Sequence, residues 1–130
     1  MEEPRWITLE AAILLHELQI AEFGGSDGVR DVGLLDSAMA RPKNLFLYGD
    51  DVTVSRLAAS YCFGISRNHP FIDGNKRVAY VVARTFLQKN GNDIVASAAE
   101  KIETMLAVAS GEMPEEALAD WFAAHAAPVG

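Results

Sequence analysis

The chain has 130 residues, half of them hydrophobic, which is enough for one domain with one buried core and too few for two ordinary ones. No apolar run approaches the roughly 18 residues that a membrane span needs, and the start, Met1-Glu2-Glu3-Pro4-Arg5, is acidic where a signal peptide would be basic. A net charge of −7 argues against non-specific binding to nucleic acid or to anionic membranes, so the expectation is a soluble, cytoplasmic, single-domain protein over residues 1–130.

Charge is unevenly spread. Residues 41–89 hold eight of the eleven Lys and Arg against Asp50, Asp51 and Asp73 alone, so a basic middle sits within an acidic remainder. That distribution suits a small anion bound at the centre. Cys62, the only cysteine, has no partner for an internal disulfide and falls at an apolar helical position, where it reads as a small buried hydrophobe.

Taken in order, Thr8 can cap a first helix running to about Phe23. Its Ile7, Ala11, Leu14, Leu15, Leu18 and Ala21 recur at helical spacing and predict a core face. Gly24-Gly25-Ser26-Asp27-Gly28 ends it as a loop. A short second helix is predicted from Val32 to Ala40, because Pro42 bars continuation. Residues 42–52 then break the period, and two readings stand: an extended flap over a site, or a segment whose Leu45, Phe46 and Leu47 pack on the core.

The third helix is predicted from Thr53 to about Asn68, with Val54, Leu57, Ala58, Tyr61, Cys62 and Ile65 forming one apolar face. Residues Asn75 to Asn90 form a fourth, apolar around most of its circumference and therefore central, ended by Gly91. Ser97-Ala98-Ala99-Glu100 is a capping box that opens a fifth helix with Ala98, Ile102, Met105, Leu106 and Ala109 on one face. Pro114 suits the first turn of a sixth helix carrying Leu118, Trp121, Phe122 and His125. The predicted fold class is all-α, with five or six helices.

Between the third and fourth helices stands His69-Pro70-Phe71-Ile72-Asp73-Gly74-Asn75-Lys76-Arg77. His69 precedes a proline, which biases it away from helical dihedrals, and a neutral imidazole can take a proton from a hydroxyl. Alternatively it is a capping or core histidine. Asp73 offers a hard oxygen for Mg²⁺ on a nucleotide, or else an N-cap. Gly74 permits close backbone approach or a positive φ, and Asn75 can hold the loop or bond a phosphate. Lys76 and Arg77 occupy the first helical turn, where acids are usual, which suggests an anion between them. No Walker pattern is present, and the three histidines and one cysteine lack paired zinc-ligand spacing.

The nine residues closely resemble the Fic/Doc signature HxFx(D/E)(G/A)N(G/K)R, and the upstream segment Gly33–Pro42 resembles that of death-on-curing toxins. The resemblance implies a compact Fic/Doc-like domain that transfers part of ATP to a hydroxyl of a target protein. By position, it makes His69 the general base, Asp73 the Mg²⁺ ligand, Gly74 and Asn75 the anion-binding loop, Lys76 and Arg77 the phosphate holders, and Phe71 the core anchor of the loop.

Lys76, with Tyr80 where AMP-transferring members carry a second arginine, resembles the Doc-like phosphotransferases, whose known target is elongation factor Tu. Gly74, where the founding death-on-curing protein has alanine, points mildly towards AMP transfer (AMPylation), the alternative. No Ser or Thr is followed four residues later by Glu, so the built-in inhibitory helix of some Fic proteins is absent. The resemblance therefore implies a toxin restrained by a separate antitoxin. A non-catalytic nucleotide- or partner-binding module is the reading from another class. His16 and His125 are expected to be structural.

Overall fold

A computed structural model describes residues 1–129 as six helices with a two-stranded sheet. The helices are α1 (Leu9–Phe23), α2 (Val32–Tyr48), α3 (Val54–Asn68), α4 (Asn75–Lys89), α5 (Ala98–Ser110) and α6 (Glu115–His125). Four starts follow the capping rules: Thr8 accepts from Ala11 N–H, Asp31 from Leu34 N–H and Thr53 from Arg56 N–H, and Ser97 with Glu100 completes a reciprocal box. Pro114 is the N-cap of α6 rather than part of its first turn. No described helix is long and apolar enough to cross a membrane.

The hub is α3, not α4. It packs most extensively against α4, α2 and α6, and Leu57, Ala58, Tyr61, Cys62 and Ile65 on it are fully buried. Its Ser55, Ser60, Gly64 and Ser66 are buried as well, so small residues hide the burial of this helix from a count of hydrophobic ones. Gly64 shows what they permit: a Cβ there would lie 3.5 Å from Ala38 of α2 and 3.2 Å from the Arg41 side chain. Cys62 is buried beside Met105, and burial drives its thiol well above the ordinary range.

Three expectations need correction. The helix from Val32 does not stop before Pro42 but runs on to Tyr48, so residues 42–48 are neither a flap nor extended. Proline costs the helix the hydrogen bond to the Ala38 carbonyl. Against that loss, Pro42 is buried, Leu45 and Phe46 pack on the core, and Phe46 meets Trp6 edge-on at 5.7 Å. On α1 the inward residues are Ala12 and His16, whereas Leu14 and Leu18 are more than half exposed. On α5 Ile102 and Leu106 are likewise exposed, and Met105 and Val108 face the core.

The sheet was not foreseen. β1 (Asn92–Ile94) pairs antiparallel with β2 (Ala126–Pro128), with Asp93 opposite Ala127. It fastens the C-terminal segment to the turn that follows α4. Arg84 on α4 reinforces that corner through Asp93, with Nε to Oδ1 at 2.8 Å and Nη2 to Oδ2 at 3.3 Å.

Candidate active site

The loop between α3 and α4 starts at His69, the C-cap of α3, with φ 47° and ψ 55°. A left-handed conformation costs a non-glycine residue about 1–2 kcal/mol, so something must hold it. Arg30 does so. Its Nε donates to the His69 carbonyl at 2.7 Å and its Nη2 to the Asn68 carbonyl at 2.9 Å, which satisfies two carbonyls left over at the end of α3. The main chain beside it adds further ties: Arg30 and Asp31 N–H donate to Pro70 O, and Ile72 N–H donates to Gly28 O. The result leaves the His69 side chain exposed, with no hydrogen bond from its ring among the described residues.

Phe71 is buried and anchors the loop. Asn75 locks it: Oδ1 accepts from Phe71 N–H and Nδ2 donates to Phe71 O, both at 3.0 Å. Both ends of this buried amide are therefore committed to the loop, so of the two roles open to Asn75 its side chain takes the first. What Asn75 retains for an anion is its main-chain N–H.

Gly74, at φ 74° and ψ 19°, is the N-cap of α4, and no side chain caps this helix. Asp73 lies one residue before the cap and does not fill that place. Instead Oδ1 accepts from Gly74 N–H at 2.8 Å and Oδ2 from Ser26 N–H at 3.2 Å. These two donors, Ser26 before Gly74, hold the carboxyl below its ordinary range. Gly25 makes room for it, since a Cβ there would lie 2.8 Å from Asp73 Oδ2.

The first three N–H groups of α4 have no helical partner, and with the positive end of the helix dipole they face outward. Lys76 and Arg77 flank them from the first turn, both exposed, with the Arg77 guanidinium 4.5 Å from the centre of the Phe23 ring. Asp73, Gly74, Asn75, Lys76 and Arg77 thus meet His69 in one concavity of about 380 Å³, which Ile72 also lines. A second hollow of about 300 Å³ adjoins it, sharing Lys76 and Arg77 and walled by Tyr80, Lys101, Ile102, Met105 and Leu106. Tyr80 is half-buried, its hydroxyl has no partner among the described residues, and burial pushes its pKa up to about 12.

Chemically, the concavity combines an exposed imidazole, a carboxylate kept ionised, and an uncapped helix N-terminus with two cations. Asp73 is the one carboxylate lining it, and no cluster of three or more His, Cys, Asp or Glu occurs among the described residues. Each Asp73 oxygen accepts a single N–H here and has lone-pair capacity to spare. A lone carboxylate of this kind fits Mg²⁺, which completes its shell with phosphate oxygens and water.

Reasoning from sequence missed Arg30, Gly25, Ser26 and His16. His16, expected to be structural only, is buried on α1 with Nε2 2.7 Å from Asp73 O and its ring stacked on Phe71 at 4.0 Å. His125 lies remote from the site, joining Trp121 O and Glu100 Oε2.

Comparison with known proteins gives the family. The model of the Fic/DOC family matches residues 6–87, which takes in α1, the 24–31 loop, the His69–Arg77 stretch and most of α4. The protein named Toxin Doc of Mycolicibacterium smegmatis (strain ATCC 700084 / mc(2)155) is 48% identical over 77 residues, 57% of this chain and 58% of that protein. The one named Protein kinase doc of Escherichia phage P1 is 31% identical over 116 residues, 89% of this chain and 91% of that protein. With its signature loop, its helical scaffold and a family match over more than half its length, the chain belongs to the Fic/DOC family, in which it is Doc-like.

Proposed function

We propose that this chain is the toxin of a toxin–antitoxin pair, and that it transfers the γ-phosphate of ATP to a hydroxyl of a protein, with elongation factor Tu as the target. The observation that carries the reading is the uncapped N-terminus of α4, bordered by Asp73, Lys76 and Arg77 and lying beside the exposed His69. Phosphoryl transfer asks a protein for alignment and charge neutralisation, and that is the inventory present. Lys76 and Tyr80, at positions that separate phosphate transfer from AMP transfer, support the first, as does similarity to a relative named a protein kinase.

Each residue has a role in this reading. The α4 N–H groups bind phosphate oxygens, and Lys76 and Arg77 neutralise them. Asp73 holds Mg²⁺, which when bound shields the charge of the nucleotide. His69 takes the proton of the target hydroxyl as its oxygen bonds to the γ-phosphorus and ADP departs.

Intact-mass spectrometry of purified elongation factor Tu, incubated with this protein, ATP and Mg²⁺, tests the proposal. The control is His69→Asn, because Asn tolerates the left-handed conformation while removing the base. One added phosphate, absent in the control, is expected. An added AMP refutes phosphate transfer in favour of AMPylation, for which Gly74 is the residue that speaks. Transfer to another lysate protein refutes the target alone. No transfer anywhere, with a raised melting temperature in Mg²⁺–ATP, would leave a binding module.

A further inference from the structure

His16 carries more order than packing requires. It is 1% exposed, sits on α1 far in sequence from the loop, and stacks on Phe71 with ring centres 4.0 Å apart and planes 8° from parallel. Its Nε2 lies 2.7 Å from the main-chain oxygen of Asp73. A carbonyl oxygen only accepts, so Nε2 must carry the proton. The peptide joining Asp73 to Gly74 is then held at both ends: the C=O by His16, the N–H by Asp73 Oδ1 at 2.8 Å. That peptide leads directly into α4, and its tilt decides where the Asp73 carboxylate and the free N–H groups of the helix face.

We infer that His16 is a positioning residue, whose Nε2–H fixes the 73–74 peptide and thereby aims the Asp73 carboxylate and the N-terminus of α4 at the bound phosphates. The inference deepens the proposed phosphotransfer and rests on that reading for what the aimed groups bind. Packing alone predicts something different. A flat apolar ring would stack on Phe71 as well as imidazole does, whereas a positioning role needs the N–H.

The experiment compares His16→Phe, which keeps a ring and removes the donor, with His16→Gln, which keeps a donor and removes the ring. Amide exchange across Ile72–Arg77 is read by nuclear magnetic resonance on the unliganded proteins. In the Phe variant the Gly74 amide should exchange about fivefold to tenfold faster, as the loss of one partly buried hydrogen bond implies, and the Gln variant should recover most of the protection. In the transfer assay, the Mg²⁺ concentration for half-maximal rate should rise several-fold in the Phe variant and stay near wild type in the Gln variant.

Unchanged exchange in a folded Phe variant overturns the inference, as does equal loosening in both variants. Should the Phe variant not fold, the wild-type protein still decides. A ¹⁵N–¹H correlation of the His16 ring must give a slowly exchanging Nε2–H, and a ring protonated on Nδ1 alone overturns the inference. Absence of any transfer by the wild-type protein would sink the phosphotransfer reading instead, while the exchange and ring measurements still judge His16.

Discussion

Asn75 offers the sharpest test of how the loop is held, because one side chain satisfies both main-chain groups of a buried neighbour. In Asn75→Ala the N–H and C=O of Phe71 each lose a partner at 3.0 Å, in a place where Asn75 is only 9% exposed. An unsatisfied buried group costs about 1–3 kcal/mol. Partial hydration of the relaxed loop trims the sum of the two to about 2–4 kcal/mol. For a domain of this size that corresponds to a melting temperature lower by about 10 °C.

Asn75→Asp sharpens the test. It keeps the acceptor for Phe71 N–H but sets a second oxygen against Phe71 O, where the amide now donates at 3.0 Å. Burial and the facing carbonyl should push the introduced carboxyl above its ordinary range. A folded-state pKa above the unfolded one adds stability that is full below the unfolded value, near 4, and is lost as pH rises through the folded value. Urea denaturation from pH 4 to pH 8 should therefore show the deficit of this variant relative to wild type growing with pH. A loss below about 1 kcal/mol in Asn75→Ala, or a flat pH profile of the Asp deficit, would refute the account of the loop.

Gly25→Ala should disturb the site from behind. A methyl group at φ +115° and 2.8 Å from Asp73 Oδ2 strains the backbone by about 1 kcal/mol or more and pushes the carboxylate off Ser26 N–H. The Asp73 carboxyl should then titrate closer to the ordinary range than in wild type, as read by carboxyl carbon shifts, and an unchanged titration would count against the Ser26 contact. At the other end of the molecule, Arg84 holds the Asp93 carboxyl well below the usual range, with help from Ile94 N–H and Gln88. Because the folded pKa is depressed, that stability is present above the unfolded value near 4 and fades as pH falls towards the folded one. Asp93→Asn should cost about 1 kcal/mol at pH 7, and its difference from wild type in thermal melts should narrow steadily below pH 4.

Much of the scaffold was legible from residue types alone. Thr8, Thr53 and the Ser97–Glu100 box announce three helix starts because a cap is a contact over three residues, well within the reach of a sequence pattern. Pro42 misleads for the converse reason. Its cost is local and visible in sequence, whereas the packing of Leu45 and Phe46 that carries α2 past it is tertiary. The strands at 92–94 and 126–128 are too short to carry a period, and their pairing partners lie more than thirty residues apart. Leu14 and Leu18 matched an inward stripe equally well, but the place beneath α1 is taken by His16, a polar residue that an apolar stripe leaves out and that Asp73 O partners.

The site divides along the same line. Its reacting face, His69 through Arg77, is contiguous in the chain, and a spacing pattern can capture it. Its backing is not contiguous. Arg30 grips the end of α3, Gly25 and Ser26 seat the Asp73 carboxylate, and His16 holds the peptide that follows it. All four come from the first thirty residues, which by composition read as an amphipathic helix and a plain glycine loop. Nothing in the types Gly, Ser or Arg reveals such a task, because the task exists only once α1 has been laid across α4. The conformation of the loop supports this division of labour. A left-handed His69 ahead of proline is an unfavourable conformation for a non-glycine residue, and the side chain that makes it tolerable, Arg30, is brought up from behind by the 24–31 segment. On that argument, substitutions in the first thirty residues should alter the site as surely as substitutions within the signature, and should do so by loosening its geometry rather than by removing a reacting group.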